Sequence, residues 1–181
     1  MNPIEITSEA FREGARIPDE FTCKGANLSP PISFGPMPPG TKSIVVICDD
    51  PDAPSGLFTH WILYNIPAGT EHISKGVPKK PVLIDGSRHG TNSYGRMEYS
   101  GPACPPGTTH HYHFDAYALD MVLALRAPVT RRDIGHAMEG HILGNGSLIG
   151  LFHDNRPGST GGPGYPHFRY KKHIHINFRE A

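Results

Sequence analysis

The most informative segment of this chain reads Ser43-Ile44-Val45-Val46-Ile47-Cys48-Asp49-Asp50-Pro51-Asp52-Ala53-Pro54. Its first six residues are apolar except for Ser43 and rich in β-branched side chains, which predicts a strand covered on both faces. The acidic segment that follows ends this strand, because Pro51 stiffens the chain and disfavours helical backbone at Asp50. Two interpretations of the aspartates are open: they accept backbone N–H bonds in a turn, or they serve a site at the end of the strand.

Other parts of the chain also have strand character. The predicted strands lie at residues 60–66, 112–120 and 147–152, with shorter candidates at 4–6 and 82–84. One helix is predicted, because Thr130 and Asp133 resemble a capping box and apolar residues follow at helical spacing from Ile134 to Ile142. Gly144 is the predicted end of that segment. A long Pro/Gly-rich loop at 85–107 is expected to be functional or disordered.

Composition favours many turns and short strands. The chain has 21 Gly and 19 Pro among 181 residues, and 37% of its residues are hydrophobic. This length predicts one main domain, which we place at residues 1–153. A Gly/Pro-rich linker is expected at 154–164, followed by a basic, aromatic tail at 165–181.

The tail contains a candidate strand at residues 173–178. There the apolar residues Ile174, Ile176 and Phe178 alternate with polar ones, which is typical of a half-buried strand. Such a strand must pair with another, so we expect it on an edge of its own sheet or on a second copy of the chain in a homodimer.

Charge and cysteine content exclude several classes of protein. Lys+Arg and Asp+Glu both number 17, so no net field attracts nucleic acid. No apolar run reaches membrane-spanning length, and the N-terminus has no secretory pattern, so we expect a cytoplasmic protein without integral membrane association. The three cysteines, Cys23, Cys48 and Cys104, form no CxxC pair and are expected to be reduced.

Several histidines are candidates for binding chemistry. His60 opens the second predicted strand, and His110 begins the third, where His110 and Tyr112 project from one face and His111 and His113 from the other. A histidine that faces a pocket donates to an anion and titrates near neutral pH, although a structural role is the more common one for any single histidine.

No pattern predicts a metal, a cofactor or a catalytic residue. The histidines form only strand-spaced pairs and no HExxH motif, whereas zinc normally takes three or four ligands. No GxSxG nucleophile motif and no glycine-rich phosphate loop are present in the sequence.

The order of five segments resembles the phosphatidylethanolamine-binding protein (PEBP) family. These segments lie at residues 50–54, 59–67, 90–95, 101–107 and 110–112. Residues 137–143 and 148–150 are similar to the prokaryotic, YbhB/YbcL-like branch, and the resemblance spans residues 4–152. It implies a mainly β fold, in which a large antiparallel Greek-key sheet packs on a smaller second sheet with one or two short helices.

The resemblance also implies a pocket at the edge of the central sheet that binds phosphate, acetate or a phosphoryl headgroup. Carried over position by position, its ligand-binding residues are Asp50, Asp52, His60, Pro106, His110 and Tyr112. We expect the histidines and the tyrosine to donate to the anion, and Asp50 to fix a histidine tautomer. His111 stands where eukaryotic relatives have arginine, which argues against a kinase-regulating role.

The leading interpretation is therefore a non-catalytic protein that binds a small anion or phospho-ligand. Two alternatives stay open. One is a hydrolase that uses His110 or His60 with Asp50 as an acid–base pair. The other is an interaction module of the protease- or kinase-inhibitor type, which predicts a stable protein partner.

Overall fold

The chain forms two β-sheets and one α-helix within residues 2–156, the part that the computed structural model describes. Its elements are β1 Asn2–Pro3, β2 Ile6–Thr7, a 3-10 turn Asp19–Phe21, β3 Ile32–Phe34, β4 Ser43–Asp50, β5 Phe58–Pro67, β6 His72–Ile73, β7 Arg88–His89, β8 Thr109–Leu119, α1 Arg131–Met138 and β9 Ile142–His153.

The larger sheet has six strands in the order β1-β9-β8-β4-β5-β7, and the smaller has three in the order β2-β3-β6. In the larger sheet β4, β5 and β7 lie side by side, and β8 returns to pair with the free side of β4, which is a Greek-key arrangement. The predicted mainly β, two-sheet fold is thus confirmed. One pair differs from the prediction, because β1 runs parallel to β9 while the other pairs are antiparallel.

The central strand β4 is buried along all eight of its residues. Val46 and Cys48 pack into a core that lies between the two sheets. Val45 and Ile47 pack on the opposite face, in a second cluster that includes residues of α1. The apolar run therefore forms a strand covered on both faces, as its composition predicts.

Helix α1 begins as predicted and ends earlier. The Thr130 side chain accepts from the Asp133 backbone N–H and the Asp133 side chain accepts from the Thr130 backbone N–H, which completes a capping box. The prediction that the helical segment reaches Ile142 is wrong, because α1 ends at Met138 and Gly140 takes a φ of +76°. Ile142 instead begins β9, which is longer than the predicted strand at 147–152.

Two of the short predicted strands differ in detail. The candidate at 4–6 is split, because β1 joins the larger sheet and β2 joins the smaller one, with the buried Ile4 between them. The candidate at 82–84 contributes only an isolated bridge from Val82 to Arg88.

The described residues end at Arg156, shortly after β9. The predicted tail strand at 173–178 and most of the predicted linker lie outside the described residues. Among the helices of residues 2–156, none has the length and apolar character needed to cross a membrane.

Candidate functional site

Polar side chains from β4, β5 and β8 meet on the face of the larger sheet that packs against the smaller one. Tyr112 and Cys48 belong to the core between the sheets. Asp50 is two residues beyond Cys48 and His110 is two residues before Tyr112, so strand alternation places these side chains on the same face. The last aligned pair of β4 and β8 is Asp49 with His113, which puts Asp50 beside Tyr112.

Asp50 holds His110 in one orientation. The Nδ1 of His110 lies 2.8 Å from Oδ2 of Asp50, and both side chains are buried. Oδ1 of Asp50 accepts the backbone N–H of Asp52 at 2.9 Å, so the following turn fixes the carboxylate. Because a carboxylate only accepts, Nδ1 carries the hydrogen, and Nε2 is the ring atom left for another partner.

The Tyr112 hydroxyl is buried without a hydrogen-bond partner among the described residues. Burial raises its pKa well above the ordinary range, and the Asp50 charge adds to this effect. The Ala103 backbone opposes this shift, with the smallest effect among the groups that act on the Tyr112 pKa. The O–H group is therefore a buried donor without an acceptor among the described residues.

A β-bulge turns His60 toward this cluster. The β4–β5 register shifts so that Cys48 pairs with Trp61 and Asp49 pairs with Thr59, which leaves His60 as the extra residue. The His60 ring meets the Tyr112 ring edge-on, with centroids 5.1 Å apart. Its Nδ1 lies 2.7 Å from the Ser100 carbonyl oxygen, and burial lowers its pKa.

The loop at residues 90–100, which contacts His60, contains residues that were not predicted to belong to the site. The Asn92 side chain donates to the Glu98 carbonyl and the Ser100 hydroxyl, at 2.9 and 3.1 Å, and thereby shapes the loop that presents Ser100. The rings of Phe58 and Tyr94 pack on His60 with centroids 5.1 and 5.9 Å away. Residues 90–95 belong to the segments that resemble the family, but the sequence alone did not predict that they contact His60.

The other two of the six predicted ligand-binding residues are Asp52 and Pro106. The Asp52 carboxylate is bonded to His111, at 2.9 Å from its backbone N–H and 2.7 Å from its Nδ1, in an exposed pair. These hydrogen bonds lower the pKa of Asp52. Pro106 is half-buried in the turn before β8. A role for either residue in ligand binding stays a prediction.

Asp49 illustrates the structural interpretation of the acidic segment. Its side chain faces away from the cluster, accepts from the Thr59 hydroxyl at 2.6 Å and pairs with Arg131 Nε at 3.0 Å. It therefore links β4 to β5 and α1. Within residues 2–156, no group of three or more His, Cys, Asp or Glu side chains is arranged to hold a metal ion.

Comparison with known proteins agrees with this architecture. The family model described as phosphatidylethanolamine-binding protein matches residues 7–153. A UPF0098 protein of Methanothermobacter thermautotrophicus is 46% identical over 149 residues, which are 82% of this chain and 98% of that protein.

Solved structures give the same result. A putative PEBP homologue from Chlamydia trachomatis superposes with a TM-score of 0.76 at 37% identity, covering 85% of this chain and 99% of that one. Escherichia coli YbcL, described as a member of the mammalian PEBP family, gives a TM-score of 0.77 at 25% identity, covering 83% and 98%. The chain therefore belongs to the phosphatidylethanolamine-binding protein family.

Proposed function

We propose that this protein binds a small oxyanion of the phosphate class, without converting it, at the cluster formed by Asp50, His60, His110 and Tyr112. The observation that carries the proposal is the buried Tyr112 hydroxyl, which has no acceptor among the described residues. An unsatisfied buried polar group costs about 1–3 kcal/mol, and an anion oxygen would remove this cost.

The neighbouring contacts support the same chemistry. Both oxygens of Asp50 are engaged, one by His110 and one by a backbone N–H, so the carboxylate orients the ring and is not itself available to the ligand. Protonation of His110 would make its Nε2 a donor as well and would give the anion a charge-assisted hydrogen bond next to the Tyr112 hydroxyl.

Titration with inorganic phosphate, followed by calorimetry, tests the proposal. We expect the His110→Ala variant to bind about 10–150-fold more weakly, because one charge-assisted hydrogen bond contributes about 1.5–3 kcal/mol. His111→Ala is the matched control, since His111 is the next residue of β8, is exposed and faces away. Its affinity should match the wild type.

Two results would contradict the proposal. One is a wild-type protein that does not bind phosphate, and the other is a folded His110→Ala variant with unchanged affinity. Thermal unfolding of each variant establishes that the comparison is between folded proteins.

The Asp50–His110 hydrogen bond also favours a second candidate, a phosphoester hydrolase with His110 as general base or acid. This alternative requires turnover of a small phosphomonoester that is lost in His110→Ala and kept in His111→Ala. If a preparation binds phosphate but shows no turnover, the hydrolase alternative is contradicted and the non-catalytic proposal stands.

A further inference from the structure

The Nδ1 of His60 contacts a backbone carbonyl, whereas the Nδ1 of His110 contacts a carboxylate. Nδ1 of His60 lies 2.7 Å from the backbone carbonyl oxygen of Ser100. A carbonyl oxygen only accepts, so Nδ1 carries the ring hydrogen. In the neutral ring, Nε2 then presents a lone pair and is an acceptor.

The surroundings of His60 favour the neutral ring. The side chain is 1% exposed, and burial lowers its pKa. The rings of Phe58, Tyr94 and Tyr112 pack around it. The backbone of Ser100 and Gly101 and the carboxylates of Asp50 and Asp49 in β4 all raise the pKa, but by less than burial lowers it.

The cluster thus combines two donors with one acceptor. Once His110 is protonated, as the proposed function requires, the Tyr112 hydroxyl and the His110 Nε2–H donate, whereas Nε2 of neutral His60 accepts. A bare anionic oxygen facing that lone pair would be repelled and would leave it unpaired. An oxygen that carries a hydrogen would instead donate to it.

We infer that the site selects oxyanions that keep one hydroxyl hydrogen, such as hydrogen phosphate or the monoanion of a phosphomonoester, over phosphodiesters and sulfonates. This inference rests on the proposed function and assigns His60 as the specificity-determining residue. A site built to hydrogen-bond a ligand hydroxyl discriminates strongly against an analogue that lacks it, because a buried polar group is then left unpaired.

The sharpest test compares methylphosphonate with methanesulfonate at about pH 6.5. Both ions are tetrahedral and carry a single methyl group, and the prevailing form of each has one negative charge, but only methylphosphonate keeps a hydroxyl hydrogen. We expect methylphosphonate to bind at least about tenfold more tightly, the effect of one lost hydrogen bond in a buried site.

A second pair of probes separates the sources of a phosphoryl ligand. Methyl phosphate represents free phosphate and monoesters, and dimethyl phosphate represents the diester of a phospholipid headgroup. We expect binding of methyl phosphate and little binding of dimethyl phosphate. Equal affinities within both pairs would overturn the inference while leaving anion binding intact, and no binding of phosphate or methylphosphonate would overturn the proposed function as well.

A variant and a spectroscopic measurement assign the effect to His60. The side-chain amide of His60→Gln can present an N–H to an anion, so this variant should lose most of the discrimination, whereas His111→Gln should keep it. In the wild-type protein without ligand, the ¹⁵N shift of His60 Nε2 should be that of a nitrogen with a lone pair. A shift typical of a protonated Nε2 would overturn the inference even where His60→Gln fails to fold.

Discussion

Tyr112 and Tyr99 are both fully buried phenols, but their hydroxyl groups differ. The Tyr99 hydroxyl donates to the Phe21 carbonyl oxygen at 2.7 Å, whereas the Tyr112 hydroxyl has no partner among the described residues. At the scale of a single residue, this contrast separates a side chain that stabilises the fold from one that is available to a ligand.

The two Tyr→Phe variants should therefore behave differently. Tyr99→Phe removes a buried hydrogen bond and should lower the free energy of unfolding by about 1–3 kcal/mol. Tyr112→Phe should leave it unchanged or raise it, while weakening phosphate binding, because only an unpaired hydroxyl is lost. Urea unfolding and phosphate titration measure both effects, and an equal loss of stability in the two variants would contradict the assignment.

Two buried histidines should make stability depend on pH. Burial lowers the pKa of His60 and of His89. The Nδ1 of His89 accepts from the Trp61 indole N–H at 3.2 Å, so this nitrogen carries no hydrogen. With the folded pKa below the unfolded value of about 6.5, the unfolded chain binds more protons. The free energy of unfolding should be greatest above about pH 6.5 and fall as the pH decreases toward the folded values.

Urea unfolding at about pH 7.5 and pH 5.5, in buffer free of phosphate, measures this dependence. His111→Ala should keep the dependence, because His111 is exposed. A free energy of unfolding that is equal at the two pH values would contradict the neutral state of both rings.

At the residue scale, strand alternation was enough to place His110 and Tyr112 on one face. It was not enough for His60, because strict alternation puts His60 on the face opposite Trp61. The bulge opposite Cys48 and Asp49 turns His60 to the same face as Trp61. A bulge depends on how two strands pair, so the sequence of one strand does not predict it. The resemblance to the family supplied His60 where the pattern alone did not.

Among the structural elements, β9 contains glycines that the chain requires for close packing. A Cβ atom on Gly146 would collide with the Ile4 backbone carbonyl, and one on Gly144 would lie 2.5 Å from the Asn2 carbonyl oxygen. The N-terminal segment can pass along β9 only because these positions lack side chains.

Substitution of two glycines tests this account. Gly146→Ala should displace the N-terminal segment and lower the free energy of unfolding by about 1–3 kcal/mol, the usual cost of overpacking. Gly135→Ala is the matched control inside α1, where the nearest atom to a new Cβ is Arg131 Nη1 at 3.6 Å. It should raise the free energy of unfolding by about 0.5–1 kcal/mol, and urea unfolding that finds the same sign for both would contradict the packing argument.

The same glycines explain why the end of α1 was predicted wrongly. Apolar residues continue at helical spacing through Ile142, and a glycine at position 144 is typical of the end of a helix. The backbone that crosses Gly144 belongs to β1, which is distant in sequence, so the local pattern holds no trace of it. The capping box at Thr130 depends only on neighbouring residues, and its prediction is confirmed.

For the whole molecule, the resemblance to a family predicted both sheets and the prevailing antiparallel pairing. Local patterns located the long strands β4, β5 and β8 but gave no order for them. The tail lies outside the match to the family model, which covers residues 7–153. The strand at 173–178 and the homodimer that it suggests stay predictions.

The pairing of β1 with β9 has a consequence for how the protein is made. It joins residue 2 to residue 144, so β1 has no partner in the larger sheet until β9 is synthesised. At about 5–20 residues per second, this wait lasts roughly 7 to 30 s. For much of that time the largely apolar strand β4 also lacks β8 beside it and α1 above it. Nascent chains should therefore pass through a long period in which β4 is incompletely covered, and the proposed anion binding should appear only after β8 emerges.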